Sequence, residues 1–167
     1  MRCHRCNREM AVSKEDYHYT ESGLDNVYLG DVNIYKCQCG EEIASIPDLV
    51  EVNSAICHCL IKKRAHLSGE ELKFLRKNAG MSAKSFAEYI GVNKSTLSRW
   101  ENNKQCIDKS NDRLVRLIYA NIKRMSQDEI GCLLKETIRE IQDREQEAII
   151  NIPIEKLHHP GETRNYM

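Results

Sequence analysis

The chain has 167 residues, 41% of them hydrophobic and 30% charged, with 25 Lys/Arg balanced by 25 Asp/Glu. Such a length fills one or two small cores, since one ordinary core takes about 100–150 residues. No apolar run approaches the ~20 residues needed to cross a bilayer, so the composition describes a soluble globular protein rather than a membrane protein.

The zero net charge hides an uneven distribution. Residues 1–61 carry 5 Lys/Arg against 10 Asp/Glu, residues 62–125 carry 15 against 6, and residues 126–167 carry 5 against 9. Neutralising phosphates supplies most non-specific affinity for DNA, so the basic middle third is the expected contact region. The other reading of that block is a set of solvated helix faces. The start Met1-Arg2-Cys3-His4 has no apolar stretch of the secretory kind, which points to a reducing cytoplasmic setting. There, the 8 cysteines read as metal ligands or free thiols rather than disulfides.

Cys3-x2-Cys6 and Cys37-x-Cys39 form two thiolate knuckles. Between them lie Tyr17-His18-Tyr19-Thr20, Gly23 and Asn26 to Lys36, a β-rich alternation broken at Gly30-Asp31, which reads as a hairpin. So few large apolar residues do not fold alone, and a tetrahedral Zn²⁺ held by four thiolates is the expected staple, one per chain. Gly40 frees the backbone behind the tighter second knuckle. His4 lies inside the first knuckle and reads as solvent-facing rather than as a ligand. Cys3-His4-Arg5-Cys6 also has the form of a redox motif, with Arg2 and Arg5 to lower a thiol pKa. It lacks the strand-to-helix setting that such a site needs.

Leu49 to Leu60 has apolar positions three or four apart, predicting a helix after Pro47-Asp48. On it Cys57 and Cys59 point about 200° apart and cannot chelate one ion, with Cys59 as the expected core residue. Cys106 and Cys132 stand alone.

Ser68-Gly69-Glu70-Glu71 is a capping box opening a helix through Leu72, Phe74-Leu75 and Asn78, stopped by Gly80. Ser82 caps a second helix from Ala83 to Ile90, closed by Gly91, and Asn93 caps a third from Lys94 to Glu101. Short helices with a glycine turn between the second and third fit a helix-turn-helix, although an ordinary helical bundle has the same outline. With Leu97 and Trp100 inward, Ser95, Ser98, Arg99 and Asn102 form the outward stripe, and Lys94 and Thr96 stand at the amino end. Arg99 is the leading candidate for a base contact, because a guanidinium can bond guanine O6 and N7 together. Ser82, Lys84, Lys94 and Lys104, with helix-end amides, are expected to hold phosphates. Glu101 reads as an acceptor within the bundle and Trp100 as core.

Gly80 to Asn102 resembles the Cro/C1-type (XRE) helix-turn-helix, on its Ala87, Gly91-Val92 and Ser98-Arg99-Trp100-Glu101 positions. Joined to the two-knuckle head, the arrangement resembles the MqsA (YgiT) family of zinc-binding antitoxins and related regulators, over about residues 1–110. The resemblance implies a second base contact at Ser95, where the family has asparagine. It also implies a toxin or other protein partner bound through the head.

Ser126-Gln127-Asp128-Glu129 repeats the capping logic and opens a helix with a narrow apolar stripe from Ile130 to Ile141, with Glu145 at its edge. That stripe can pack on the body or form a dimer seam, as can the helix from Ser110 to Met125. Ala148 to Ile154 reads as an added edge strand, and the chain from His158 onward as frayed.

The expected fold class is α+β: a small β-rich zinc-binding domain (1–46), a connecting helix (47–67), an all-α helix-turn-helix domain (68–125) and a helical C-terminal extension (126–167). The expected function is a homodimeric, sequence-specific DNA-binding repressor on a palindromic double-stranded operator, and the resemblance implies an autoregulating antitoxin. The alternatives are a thiol redox switch and a protein-interaction adaptor. No nucleophile–base pairing or phosphate-cradling loop is visible, so no catalysis is expected.

Overall fold

The computed structural model describes residues 1–46, 48–138 and 149–157. It is an α+β fold in which a sheet carrying the cysteine pairs precedes a run of helices. The sheet contains β1 (Ala11–His18), β2 (Val27–Lys36) and β3 (Glu42–Ser45), each antiparallel to the next. The helices are α1 (Leu49–Lys62), α2 (Gly69–Asn78), α3 (Ala83–Tyr89), α4 (Lys94–Glu101), α5 (Lys109–Ile122) and α6 (Gln127–Ile138). The chain then returns to the sheet as β4 (Ile150–Pro153), parallel to the first half of β2.

The expected break at Gly30-Asp31 is not the hairpin turn. β2 runs through it, and the reversal lies earlier, in a 3₁₀ turn at Thr20–Ser22 that Gly23 closes at φ 76°. Between the Glu15–Val32 and Tyr17–Leu29 pairs, Gly30 and Asp31 together oppose the single Asp16, which makes a β-bulge. Asp31 has φ 60°, the left-handed conformation that turns and bulges share, so both produce the same local sequence signal. The extra residue also switches the side-chain alternation. Val27 and Leu29 point inward before it, and Val32 and Ile34 after it, so all four remain buried on one face.

That face belongs to one apolar core with Val52, Ile56 and Leu60 of α1, and with Leu72, Leu75, Phe86 and Leu97 of the helices that follow. Ile150 and Ile152 of β4 complete it opposite Val27 and Leu29. β4 lies on the same side of β2 as β3, end to end with it, as the edge strand expected for this segment. The knuckle end of the sheet has its own small cluster, Cys3, Met10 and Cys37, flanked by Tyr35 and Ile43.

On α1 the expected burial of Cys59 is reversed. Cys57 is fully buried beside Ile56, Leu60 and Ile61, and Cys59 is exposed. Cys57 and Cys59 lie on opposite flanks of the inward stripe Val52, Ile56 and Leu60, and the flank of Cys57 is the one that Tyr119 of α5 covers. Burial pushes the Cys57 thiol up to about 12. Ile141, Glu145 and the segment from His158 lie outside the described residues.

The segment between α1 and α2 has little regular structure, and Arg116 of α5 supplies its hydrogen bonds. This side chain is fully buried, donates to the carbonyls of Ile61, Lys63 and Ala65, and pairs with Asp112 one turn earlier. Asp112 also accepts from the Leu67 amide at 2.7 Å. Every polar atom of the pair that faces the segment thus has a partner, which is what makes burying two charges tolerable.

Candidate metal centre and nucleic-acid interface

The first knuckle is a tight loop closed by the Arg2–Glu9 bridge, with the Asn7 amide donating to the Cys3 carbonyl at 2.9 Å and Asn7 at φ 57°. The second turns at Gly40, whose φ of 87° lets its amide reach the Cys37 carbonyl at 3.0 Å. Because β1 and β2 are paired, the two turns face each other at one end of the sheet. The Sγ atoms of Cys3, Cys6, Cys37 and Cys39 lie within 4.8 Å of one another, with Cys6–Cys37 at 3.3 Å and Cys3–Cys39 at 3.6 Å. Zinc–sulfur bonds of ~2.3 Å in a tetrahedron require S···S edges of about 3.8 Å, so these four thiols can hold such an ion.

Electrostatics argue the same way. Burial raises the Cys3 thiol, but the amides of Cys6 and Arg5 and the neighbouring thiols outweigh it and bring Cys3 down to about 7. Cys37 moves oppositely: an amide bond from Cys39 lowers it, but burial and hydrogen bonding to the other sulfurs raise it to about 12. Without a cation the cluster shares its protons, and four thiolates so close need a positive charge among them. Zinc bound there would supply that charge and tie the two knuckles together. His4 is exposed and stands outside the set.

At the other site, α2, α3 and α4 form the expected trihelical unit. Ser68 and Glu71 exchange both capping-box bonds, and the Ser82 hydroxyl accepts from the Ser85 amide. Asn93 occupies the N-cap position of α4 without a side-chain cap bond. Gly91, at φ 73°, closes α3: its amide reaches the Glu88 carbonyl and that of Val92 reaches Ala87, which sets the angle to α4. Leu97 and Trp100 are buried, and Glu101 accepts a two-pronged bond from Arg76 at 2.6 and 3.0 Å while Arg76 also donates to the Met81 carbonyl. α4 is thereby fixed against α2 and the turn before α3.

Its outer side carries Lys94, Ser95, Ser98, Arg99 and Asn102, all exposed, with Thr96 half-buried. The Asn102 amide folds back onto the Ser98 carbonyl at 2.6 Å. The Arg99 guanidinium makes no bond to another side chain among the described residues. Ser82, Lys84 and Lys104 are likewise exposed, beside the start of α3 and the end of α4. Residues 72–111, from α2 to the start of α5, match the helix-turn-helix family HTH_3. They form a Cro/C1-type (XRE) helix-turn-helix domain. The match supports a DNA-binding regulator, and it covers the helix-turn-helix without the cysteine head. No curated protein and no solved structure matches the chain. No helix among the described residues is long and apolar enough to cross a membrane.

Sequence reasoning missed three contributors to this arrangement: Arg76, which anchors Glu101; Asn103, which bonds to the start of α2; and the Arg116–Asp112 pair. Only the last has a local signal, an acid and a base four residues apart on an otherwise apolar stripe.

Proposed function

We propose that the protein is a sequence-specific transcriptional repressor that binds a palindromic operator as a homodimer, with a structural zinc ion on Cys3, Cys6, Cys37 and Cys39. The observation that carries this reading is the exposed stripe of α4, with a guanidinium uncommitted to the protein, on a helix fixed from behind by the Arg76–Glu101 pair. Arg99 reads guanine in the major groove, with Ser95, Ser98 and Asn102 along the same stripe. Lys94, Thr96, Ser82, Lys84 and Lys104 hold the flanking phosphates. Two copies place two such helices on successive turns of one duplex face, through α5 or α6.

The pairing of a cysteine head with this domain supports a further role as the antitoxin of a type II toxin–antitoxin pair in the cytoplasm. The head, acidic where residues 62–125 are cationic, offers a surface of opposite charge for a protein partner. Footprinting on the DNA upstream of the protein's own gene tests the regulatory reading. Protection of a two-fold repeat is expected. Arg99→Ala is expected to cost about tenfold or more in specific affinity, the scale of one two-pronged base contact, with binding to random duplex little changed. Undiminished protection by that variant would exclude α4 as the reading helix.

A further inference from the structure

α2, α3 and α4 all end in the same way: a residue at positive φ whose amide, with that of the next residue, closes onto the last turn. In α2 and α3 that residue is a glycine, Gly80 at φ 72° and Gly91 at φ 73°. In α4 it is Asn103, at φ 52°, whose amide reaches the Trp100 carbonyl at 3.0 Å while that of Lys104 reaches the Arg99 carbonyl at 2.9 Å. α5 closes in the same way on Arg124 at φ 53°, so a side chain at such a position is not unusual, and the use of Asn103 lies in the partners its side chain takes.

The use is visible across the helix interface. Asn103 Oδ1 accepts from the Gly69 amide at 2.8 Å, and its Nδ2 donates to both carboxylate oxygens of Glu70 at 2.8 and 2.9 Å. The approach is so close that a Cβ on Gly69 would lie 2.4 Å from the Trp100 carbonyl oxygen and 2.6 Å from Asn103 Oδ1. Glu70 responds to the contact, since Asn103 is the main cause that holds its carboxyl below the ordinary range.

We propose that Asn103 is a positioning residue for DNA reading: its side chain latches the end of α4 to the first turn of α2 and so sets the angle at which Arg99 meets a base. The Arg76–Glu101 pair ties the last residue of α4 to the last turn of α2, and with Leu97 and Trp100 buried beneath it the helix keeps only a small freedom to rotate about that tie. The Asn103 latch supplies a second tie, one turn beyond Arg99 on the same helix end. A glycine at this position would close the helix equally well but leave that rotation open. The proposal rests on α4 being the reading helix.

The test uses the full-length protein, with affinity for its own upstream operator and for a random duplex of equal length measured at one salt concentration. Asn103→Gly keeps the helix closure and removes the latch. Asn103→Asp keeps the acceptor for Gly69 but sets a carboxylate against Glu70. Asn103→Asp with Glu70→Gln restores the bond with donor and acceptor exchanged. The operator-to-random affinity ratio is expected to fall about tenfold in both single variants, the scale of one misplaced base contact, and to recover in the double variant. Random-duplex affinity should stay within about twofold, because phosphate contacts tolerate small rotations. An unchanged ratio in Asn103→Gly, or a double variant no better than Asn103→Asp alone, overturns the proposal. Arg99→Ala run in parallel separates the two readings. A loss there with none in Asn103→Gly removes the latch and keeps the reading helix; a loss in Asn103→Gly with none in Arg99→Ala overturns both, since the latch is proposed to act through Arg99.

Discussion

Arg116 and Asp112 are charged side chains with no access to solvent, and their value lies in what they hold rather than in mutual attraction. Removing one leaves the other as an uncompensated buried charge. Arg116→Met is therefore expected to destabilise the fold by about 3–5 kcal/mol in urea titration. Arg116→Met with Asp112→Asn should recover part of that loss, and a double variant as unstable as the single one would contradict this account. The cysteines separate in the same way by environment. Cys106, Cys132 and Cys59 are exposed, whereas Cys57 is buried with its thiol pushed up to about 12. Thiol labelling of the metal-loaded native protein at mildly alkaline pH should modify Cys106 and Cys132 quickly. Cys59, raised by desolvation, should follow more slowly, and Cys57 only on unfolding. Of this residue-level detail the sequence showed the exposed α4 stripe and the role of Glu101, because Leu97 and Trp100 mark one inward side of that short helix; on α1, where Cys57 and Cys59 flank the apolar stripe on either side, periodicity did not decide between them. Asn103 and Arg76 were invisible to it, since their partners lie 34 and 25 positions away and only the packed helices bring them together.

Elements followed from local chemistry wherever one chemistry had one outcome. The capping box at Ser68, the Ser82 cap and the glycine after α3 each specified a boundary, because few other conformations satisfy those end groups. The Ser68 cap is expected to contribute about 1 kcal/mol, measurable as the loss in Ser68→Ala by urea titration. Gly30-Asp31 shows where such reading stops. A left-handed residue after a glycine serves a turn and a bulge equally well, and the choice is made by the partner strand. The bulge also has a necessary job, since without it the inward alternation begun by Val27 and Leu29 would continue to Asp31 and Asn33.

For the molecule as a whole, the knuckle cluster around Cys3, Met10 and Cys37 is separate from the large core that joins the sheet to the helices. Chelation is thus expected to open the knuckles while leaving most of the helical circular dichroism intact. Cys3, Cys6, Cys37 and Cys39 should then become reactive to thiol reagents. A cooperative loss of all helix signal on chelation would show that the two clusters are one unit. Acid should act on the same group of sulfurs: the ion displaces protons to bind, so its retention is complete at higher pH and is lost as the pH falls. The composition indicated a cationic middle and an acidic head, but not that β4 would return past the helices to pair with β2, because a four-residue strand takes its partner from the assembled sheet.

The grip of Arg116 on Ile61, Lys63 and Ala65 gives the passage from α1 to α2 the character of a weld rather than a hinge. A protease offered the native protein should therefore leave residues 62–68 uncut, and an inserted residue there should be felt at both ends of the molecule. A force on the cysteine-bearing end would therefore act on a stiff lever, and a push on the sheet would tilt the helix-turn-helix with it.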